Sequence, residues 1–188
     1  MGRTSICLAL LGVLTQAGCS QSTDAEVLTA TLNHLHSNGT DIGAFAPGSI
    51  LLLDPHSALL NQELLRALES SASTSQCHFS DTVYGTIAAT NTATTDFGRL
   101  LSPQDGWRFG SEGELATRTD GLPPTTSDGT RIWSYGSLLL PTYSKDGKTA
   151  FALVAFTWDL HTVYGEYTLT KSGDGWRVQC REFHAPYV

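Results

Sequence analysis

The stretch that decides the fold is "TAFALVAFTWDLHTVYGEYTLTKSGDGWRVQC", residues 149–180. Its first segment, 149–158, has apolar side chains at both odd and even positions, which is typical of a strand covered on both faces. The Ser-Gly-Asp-Gly run at 172–175 is a strong hairpin signal between the second and third segments. We therefore predict a three-stranded β-meander whose first strand is central in the sheet.

The second and third segments show the alternation of half-buried strands. Apolar and polar side chains alternate through residues 163–170 and again through 176–181. Each of these strands is predicted to bury one face, because successive side chains of a strand point to opposite sides. Cys180 has the same parity as Trp176 and Val178, which suits a structural disulfide better than an exposed thiol.

Helix signals occupy the N-terminal part of the chain. Residues 23–26, Thr-Asp-Ala-Glu, form a capping box, and Leu28, Leu32 and Leu35 follow at helical spacing. A buried strand is expected at 50–53, and Asp54-Pro55 is typical of the start of a second helix. The sequence predicts an α+β fold, with two N-terminal helices packed on a mostly antiparallel sheet that ends in the meander. Residues 82–95 fit a strand or a helix, and residues 110–131 fit a long loop or a hairpin tip.

The first twenty residues have the layout of a secretory signal. Arg3 is followed by nine uncharged residues, 6–14, and then by small residues at 17 and 18. The apolar run is too short to cross a bilayer, which takes about twenty apolar residues. Ala17-Gly18-Cys19 resembles the lipobox of bacterial lipoproteins, in which two small residues precede a cysteine that becomes the lipidated N-terminus. Gln16 stands where that family prefers leucine.

The lipobox resemblance implies a cellular location for the protein. Residues 1–18 would be removed as a signal peptide, Cys19 would carry palmitate-type acyl chains, and residues 19–23 would tether a single domain at 24–188 to the membrane. The expected location is the cell envelope, at the outer membrane facing the periplasm in a Gram-negative host. Two alternatives stay open: an ordinary secretory signal with an incidental cysteine, and a cytosolic protein with a buried N-terminal helix.

A second resemblance covers residues 133–178. The order of an Asp-Gly-Lys turn, an Ala-Leu-Val strand, "YGEYTLTK" and "DGWRV" is similar to the C-terminal meander of small uncharacterised bacterial lipoproteins and secreted proteins. Those proteins often carry a Cys-Gly turn where this chain has "WDLHTVYG". The resemblance implies a structural unit and supplies no catalytic residues.

Charge and cysteine usage restrict the partners and the compartment. The net charge is −7, and it becomes −8 when Arg3 leaves with the signal, so we expect no binding to nucleic acid. In an oxidising periplasm Cys77 and Cys180 are expected to form a disulfide, because Cys7 is discarded and Cys19 takes lipid. The alternative is a reactive Cys77 beside His78.

The sequence contains no strong catalytic or cofactor motif. Its six histidines are scattered, so we predict no metal site and no cofactor. Trp158, Asp159, His161 and Tyr164 form the best candidate for a binding patch, because aromatic rings with one carboxylate and one imidazole can hold a small polar ligand. A hairpin turn anchored by aromatic residues is the simpler interpretation of the same cluster.

These observations favour a non-enzymatic accessory or binding domain of unknown biochemical activity. Its expected partners are the membrane, through the lipid, and an envelope protein. The alternative is a small periplasmic hydrolase or ligand-binding protein that uses the turn with Asp159 and His161, or the loop with Asp54 and His56.

Overall fold

A computed structural model describes residues 23–38, 48–56, 66, 76–111, 113, 125–158 and 161–184. The predicted signal peptide and Cys19 lie outside these residues. The described part is a mixed α/β structure with one mostly antiparallel sheet of seven strands and few helices, which agrees with the expected α+β class. The predicted start of the second helix at Asp54-Pro55 is wrong, because Pro55 forms a bend and His56 an antiparallel bridge with Asp96; farther along the predicted helix, Arg66 is described and is helical.

The described elements follow the chain in a simple order. The helices are α1 (23–38), α2 (Asp81–Thr90) and α3 (Phe97–Leu100). The strands are β1 (Ser49–Leu53), β2 (Trp107–Phe109), β3 (Arg131–Leu138), β4 (Thr142–Tyr143), β5 (Thr149–Trp158), β6 (His161–Ser172) and β7 (Gly175–His184). None of the helices in the described ranges is long and apolar enough to cross a membrane.

The sheet combines a parallel part with the predicted meander. Its strand order is β2-β1-β3-β5-β6-β7, and β4 pairs with β5. Strand β1 lies parallel to both β2 and β3, whereas β3, β5, β6 and β7 pair in antiparallel fashion. Strand β5 occupies the predicted residues 149–158 and lies in the interior of the sheet, as its two apolar faces require.

Two hydrophobic clusters cover the two faces of this sheet. On one face Leu28, Leu32 and Leu35 of α1 are buried against alternate residues of β5 and β6. On the other face Phe79, Tyr84 and Ile87 pack on the remaining alternate residues. A helix on each side therefore removes both faces of the central strands from water.

Helix α2 falls on the tract whose secondary structure the sequence left undecided. Ser80 is its N-cap, and the Ser80 hydroxyl accepts a hydrogen bond from the Val83 amide at 3.4 Å. Tyr84 and Ile87, three residues apart, supply its buried side. At the C-terminal end of the segment 110–131 the chain forms a turn in which the Gly129 amide donates to the Thr126 carbonyl at 2.9 Å.

The prediction that β6 buries only one face is wrong. Residues 163–169 are all buried, and the polar members Glu166 and Thr168 are 0% and 6% exposed. The reason is α2 together with the segment that precedes it, because Tyr84 and Cys77 pack over the face that carries these polar side chains. Sequence alternation alone could not show that a second layer would cover that face.

The prediction that Cys180 faces the same side as Trp176 and Val178 is also wrong. Leu169 pairs with Val178 while the preceding Thr168 pairs with Cys180, so Gln179 is an extra residue in β7. This β-bulge reverses the parity of all later residues of the strand. Trp176 and Val178 therefore pack on the α1 side, and Cys180 packs on the α2 side.

Candidate functional site

The most unusual side chain in the described core is the carboxylate of Glu166. It lies in the middle of β6, is 0% exposed, and stands directly opposite Glu182 of β7. Like charges at opposed positions of neighbouring strands destabilise a sheet, and a buried charge is costly unless other groups compensate it. The surroundings of Glu166 therefore have to supply donors or positive charge.

Tyr84 of α2 supplies one donor. Its hydroxyl donates a hydrogen bond to Oε1 of Glu166. Burial raises the pKa of Tyr84, and the hydrogen bond to Glu166 and the negative charges of Glu166, Glu182 and Asp81 raise it further. Tyr84 consequently keeps its proton and remains a donor to the carboxylate across the physiological pH range.

His184, the last residue of β7, brings a fourth ionisable group to this place. Its Nε2 atom lies 3.2 Å from Oε2 of Glu166 and 4.0 Å from Oε2 of Glu182. That nitrogen is buried, and within the described part of the chain it has no hydrogen-bond partner of acceptable geometry. We call Glu166, Glu182, His184 and Tyr84 the Glu166 cluster.

The Cys77–Cys180 disulfide positions the segment that closes this cluster. The sulfur atoms are bonded, with the two Cα atoms 5.3 Å apart, which confirms the predicted pair and rules out a free thiol at Cys77. The bond holds residue 77 on β7, where the Gln76 amide donates to Oε2 of Glu182 at 2.8 Å. The Thr168 hydroxyl donates to the carbonyl of Cys77 on the same face. Residues 76–90, which comprise α2 and the segment before it, are called the α2 layer. The disulfide thus ties the start of this layer to the strand that carries Glu182 and His184.

The predicted binding patch is only partly described. Trp158 and His161 are the last backbone pair of the β5–β6 hairpin, and Asp159 lies outside the described residues. Tyr164 is 9% exposed, belongs to the core on the α2 side, and stands opposite His184 in the register. Tyr164 is therefore a neighbour of the Glu166 cluster. The binding role assigned to the patch remains a prediction.

The second candidate loop is a local turn at the end of β1. Oδ1 of Asp54 accepts from the His56 amide at 2.8 Å, and Oδ2 accepts from the Tyr135 hydroxyl at 3.0 Å. The His56 ring is 61% exposed, and its Nδ1 atom lies 3.5 Å from Oδ1 of Asp54. Both carboxylate oxygens are engaged in holding the turn and β3 together, which is the structural role typical of aspartate after a strand.

The Glu166 cluster was not predicted from the sequence, because the register of β7 depends on one extra residue. Counted outward from the Gly173-Asp174 turn, an unbulged hairpin would place Glu166 opposite Arg181, an ordinary pair of opposite charges. The extra residue Gln179 places Glu182 there, and Arg181 moves to the other face, opposite Tyr167. The only sequence signal was a glutamate within the largely apolar run "VYGEYTL".

Comparison with protein-family models, with curated proteins and with solved structures finds no match to this chain. Chemically, the Glu166 cluster offers two carboxylates, one imidazole and one phenol at the edge of a disulfide-tied layer.

Proposed function

We propose that this protein is a lipid-anchored envelope protein whose α+β domain serves as a non-enzymatic accessory or binding domain. In this proposal residues 1–18 are the signal peptide, Cys19 carries the lipid, and the short tether keeps the domain close to the membrane. Its partners are the membrane and an envelope protein, and in a Gram-negative host it faces the periplasm from the outer membrane. The observation that carries the proposal is the Cys77–Cys180 disulfide, taken together with the lipobox-like residues before Cys19.

The disulfide supports export. Disulfides persist in oxidising compartments such as the periplasm and are rare in the reducing cytosol. This bond encloses a sequence separation of 103 residues and joins two layers of the core, so it contributes to the fold as a structural bond. It favours an exported protein over the cytosolic alternative, and the Ala17-Gly18-Cys19 pattern favours anchoring over free secretion.

The burial of the Glu166 cluster supports a non-enzymatic role for the domain. Glu166 is completely buried, and Tyr84, which is also fully buried, closes over its carboxylate. An organic substrate could not contact this carboxylate unless the α2 layer opened, whereas binding and catalytic pockets are concave and largely preformed. The Glu166 carboxylate at the centre of the cluster is thus inaccessible to such a substrate.

The lipid anchor is tested by comparing two cysteine substitutions within the same leader. Cys19→Ser is expected to release the protein from the membrane fraction, to abolish incorporation of labelled palmitate and to accumulate the unprocessed chain. Cys7→Ser is the matched control, because it leaves Cys19 and its small neighbours unchanged, and it should partition and label like the wild type. Equal partitioning and labelling of both variants would refute lipidation.

The non-enzymatic role is tested separately on purified protein. We expect no turnover of chromogenic ester, phosphate and glycoside substrates above that of a protein-free control. Turnover that is present in the wild type and lost in the double variant Asp159→Asn/His161→Gln would contradict the proposal and establish the hydrolase alternative.

A further inference from the structure

We propose that Glu166, Glu182 and His184 form a binding site for one divalent transition-metal ion, Zn²⁺ by the chemistry of its ligands. These three side chains lie together on one face of the β6–β7 hairpin. The proposed site is independent of the lipid anchor and assigns to the domain a ligand that the sequence did not predict.

The spacing of the ligand atoms fits one ion. One ligand atom from each of the three residues lies within 4.8 Å of the others, and His184 Nε2 is 3.2 Å and 4.0 Å from the two carboxylates. Zinc binds nitrogen and carboxylate oxygen at roughly 2.0–2.2 Å, so two ligands of one ion stand about 3–4 Å apart. The two separations measured from His184 Nε2, 3.2 Å and 4.0 Å, fall in this range.

The charge pattern of the hairpin also indicates a cation. The bulge at Gln179 replaces an opposite-charge pair with two opposed glutamates, at a position where Glu166 is fully buried. An ion between the two carboxylates converts their repulsion into attraction, and a bound divalent ion is often the largest local charge in such a site. With an ion bound, the two opposed glutamates serve as its ligands. The bulge at Gln179 is what places them opposite each other.

Outer hydrogen bonds orient the two carboxylates. The Tyr84 hydroxyl holds Oε1 of Glu166 and leaves Oε2 on the side of His184. The Gln76 amide donates to Oε2 of Glu182 at 2.8 Å. Metal ligands in proteins are commonly held by such second partners, whose removal weakens binding by roughly 10- to 100-fold.

The ligand types select the class of metal. Imidazole nitrogen suits zinc and other transition metals, whereas Ca²⁺ and Mg²⁺ prefer oxygen-only sites. The side chains of His184 and Glu182 are 14% and 24% exposed, so an ion can enter from the β7 side without disturbing Glu166. Three protein ligands leave a fourth position for water.

The test is a Zn²⁺ titration of the intact protein, purified in detergent and first stripped with a chelator. Calorimetry is expected to give one Zn²⁺ per chain, and Glu182→Gln and His184→Gln should each weaken binding by roughly tenfold or more. His56→Gln is the matched control, because His56 also lies beside a carboxylate but on an exposed turn. It should bind like the wild type.

Two further measurements keep the test decisive if a variant folds poorly. The gel mobility of each variant without reductant reports whether the Cys77–Cys180 bond has formed, and X-ray absorption of the zinc-loaded wild type should show nitrogen and oxygen ligands without sulfur. Three results would overturn the proposal: absence of Zn²⁺ binding up to about 1 mM, unchanged binding in folded His184→Gln, or selective binding of Ca²⁺ over Zn²⁺.

Discussion

The Tyr84 hydroxyl donates to the buried Glu166 carboxylate although 82 residues separate them in sequence. This contact joins helix α2 to the centre of the meander and satisfies one oxygen of an anion that has no access to water. Its removal should therefore cost more than the loss of an ordinary surface hydrogen bond.

Tyr84→Phe is expected to lower the free energy of unfolding by about 1.5–3 kcal/mol, because the buried charged acceptor loses its donor. Tyr135→Phe removes a similar bond to Asp54, whose side chain is 37% exposed and can turn to water instead. It should cost about 1 kcal/mol or less. Denaturant unfolding of both variants checks this ordering, and an equal loss in the two would contradict it.

Replacing Cys77 and Cys180 together with alanine is expected to destabilise the protein by about 2–5 kcal/mol. The chain-entropy model gives about 4.7 kcal/mol for a closed loop of roughly one hundred residues, close to the separation of 103 found here. The measurement is denaturant unfolding of the variant without reductant, and wild type with reductant should match it. A variant as stable as the oxidised wild type would show that the bond adds nothing to the fold.

Gly136→Ala should be destabilising, whereas Gly85→Ala should be neutral or stabilising. A Cβ on Gly136 would lie 2.8 Å from the backbone oxygen of Ala155 and 3.3 Å from Leu53, so the sheet would have to shift, at about 1–3 kcal/mol. A Cβ on Gly85 meets no atom within 4 Å, and alanine in a helix gains about 0.5–1 kcal/mol over glycine. In thermal unfolding the midpoint should fall in Gly136→Ala and stay unchanged or rise in Gly85→Ala, and a fall in both variants would contradict this prediction.

The contribution of Asp128 to stability should change with pH only in acid. Hydrogen bonds from the Thr126 hydroxyl first, and then from Thr130, lower the pKa of Asp128 from 3.8 to about 2. Because the folded pKa lies below the unfolded one, this contribution is complete above about pH 4 and disappears as the pH falls through 2. Unfolding measured from pH 5 to pH 2 should therefore change less in Asp128→Asn than in the wild type. Thr126→Ala should likewise reduce the change in unfolding free energy between pH 5 and pH 2. A pH dependence equal to that of the wild type in both variants would contradict this assignment.

The sequence predicted those parts of the fold that depend on local pattern. The double apolar parity of residues 149–158 identified β5 as a central strand, because only a strand with both faces covered tolerates it. The Ser-Gly-Asp-Gly signal identified the β6–β7 hairpin, and the leucines of α1 identified the helix that covers one face. The Cys77–Cys180 pair followed from counting cysteines under the assumption of export.

The sequence could not predict what depends on a long-range contact or on a single inserted residue. Helix α2 contains threonine, alanine and glycine without a clear apolar stripe, and its position is fixed by packing of Tyr84 and by the neighbouring disulfide. The bulge at Gln179 has no local signature, yet it decides which of Arg181 and Glu182 faces Glu166. Because of this one extra residue, the sequence predicted neither the side of the sheet on which Cys180 lies nor the candidate metal site.

The Cys77–Cys180 bond also has a consequence for resistance to proteases. Everything from α2 to the middle of β7 lies between the two cysteines, so one backbone cut anywhere in that interval produces two fragments that stay covalently joined. Each fragment keeps strands that pair with the other across the sheet. A nicked molecule should keep its full mass until a reductant separates the pieces, so the bond protects the protein against the loss of half its chain.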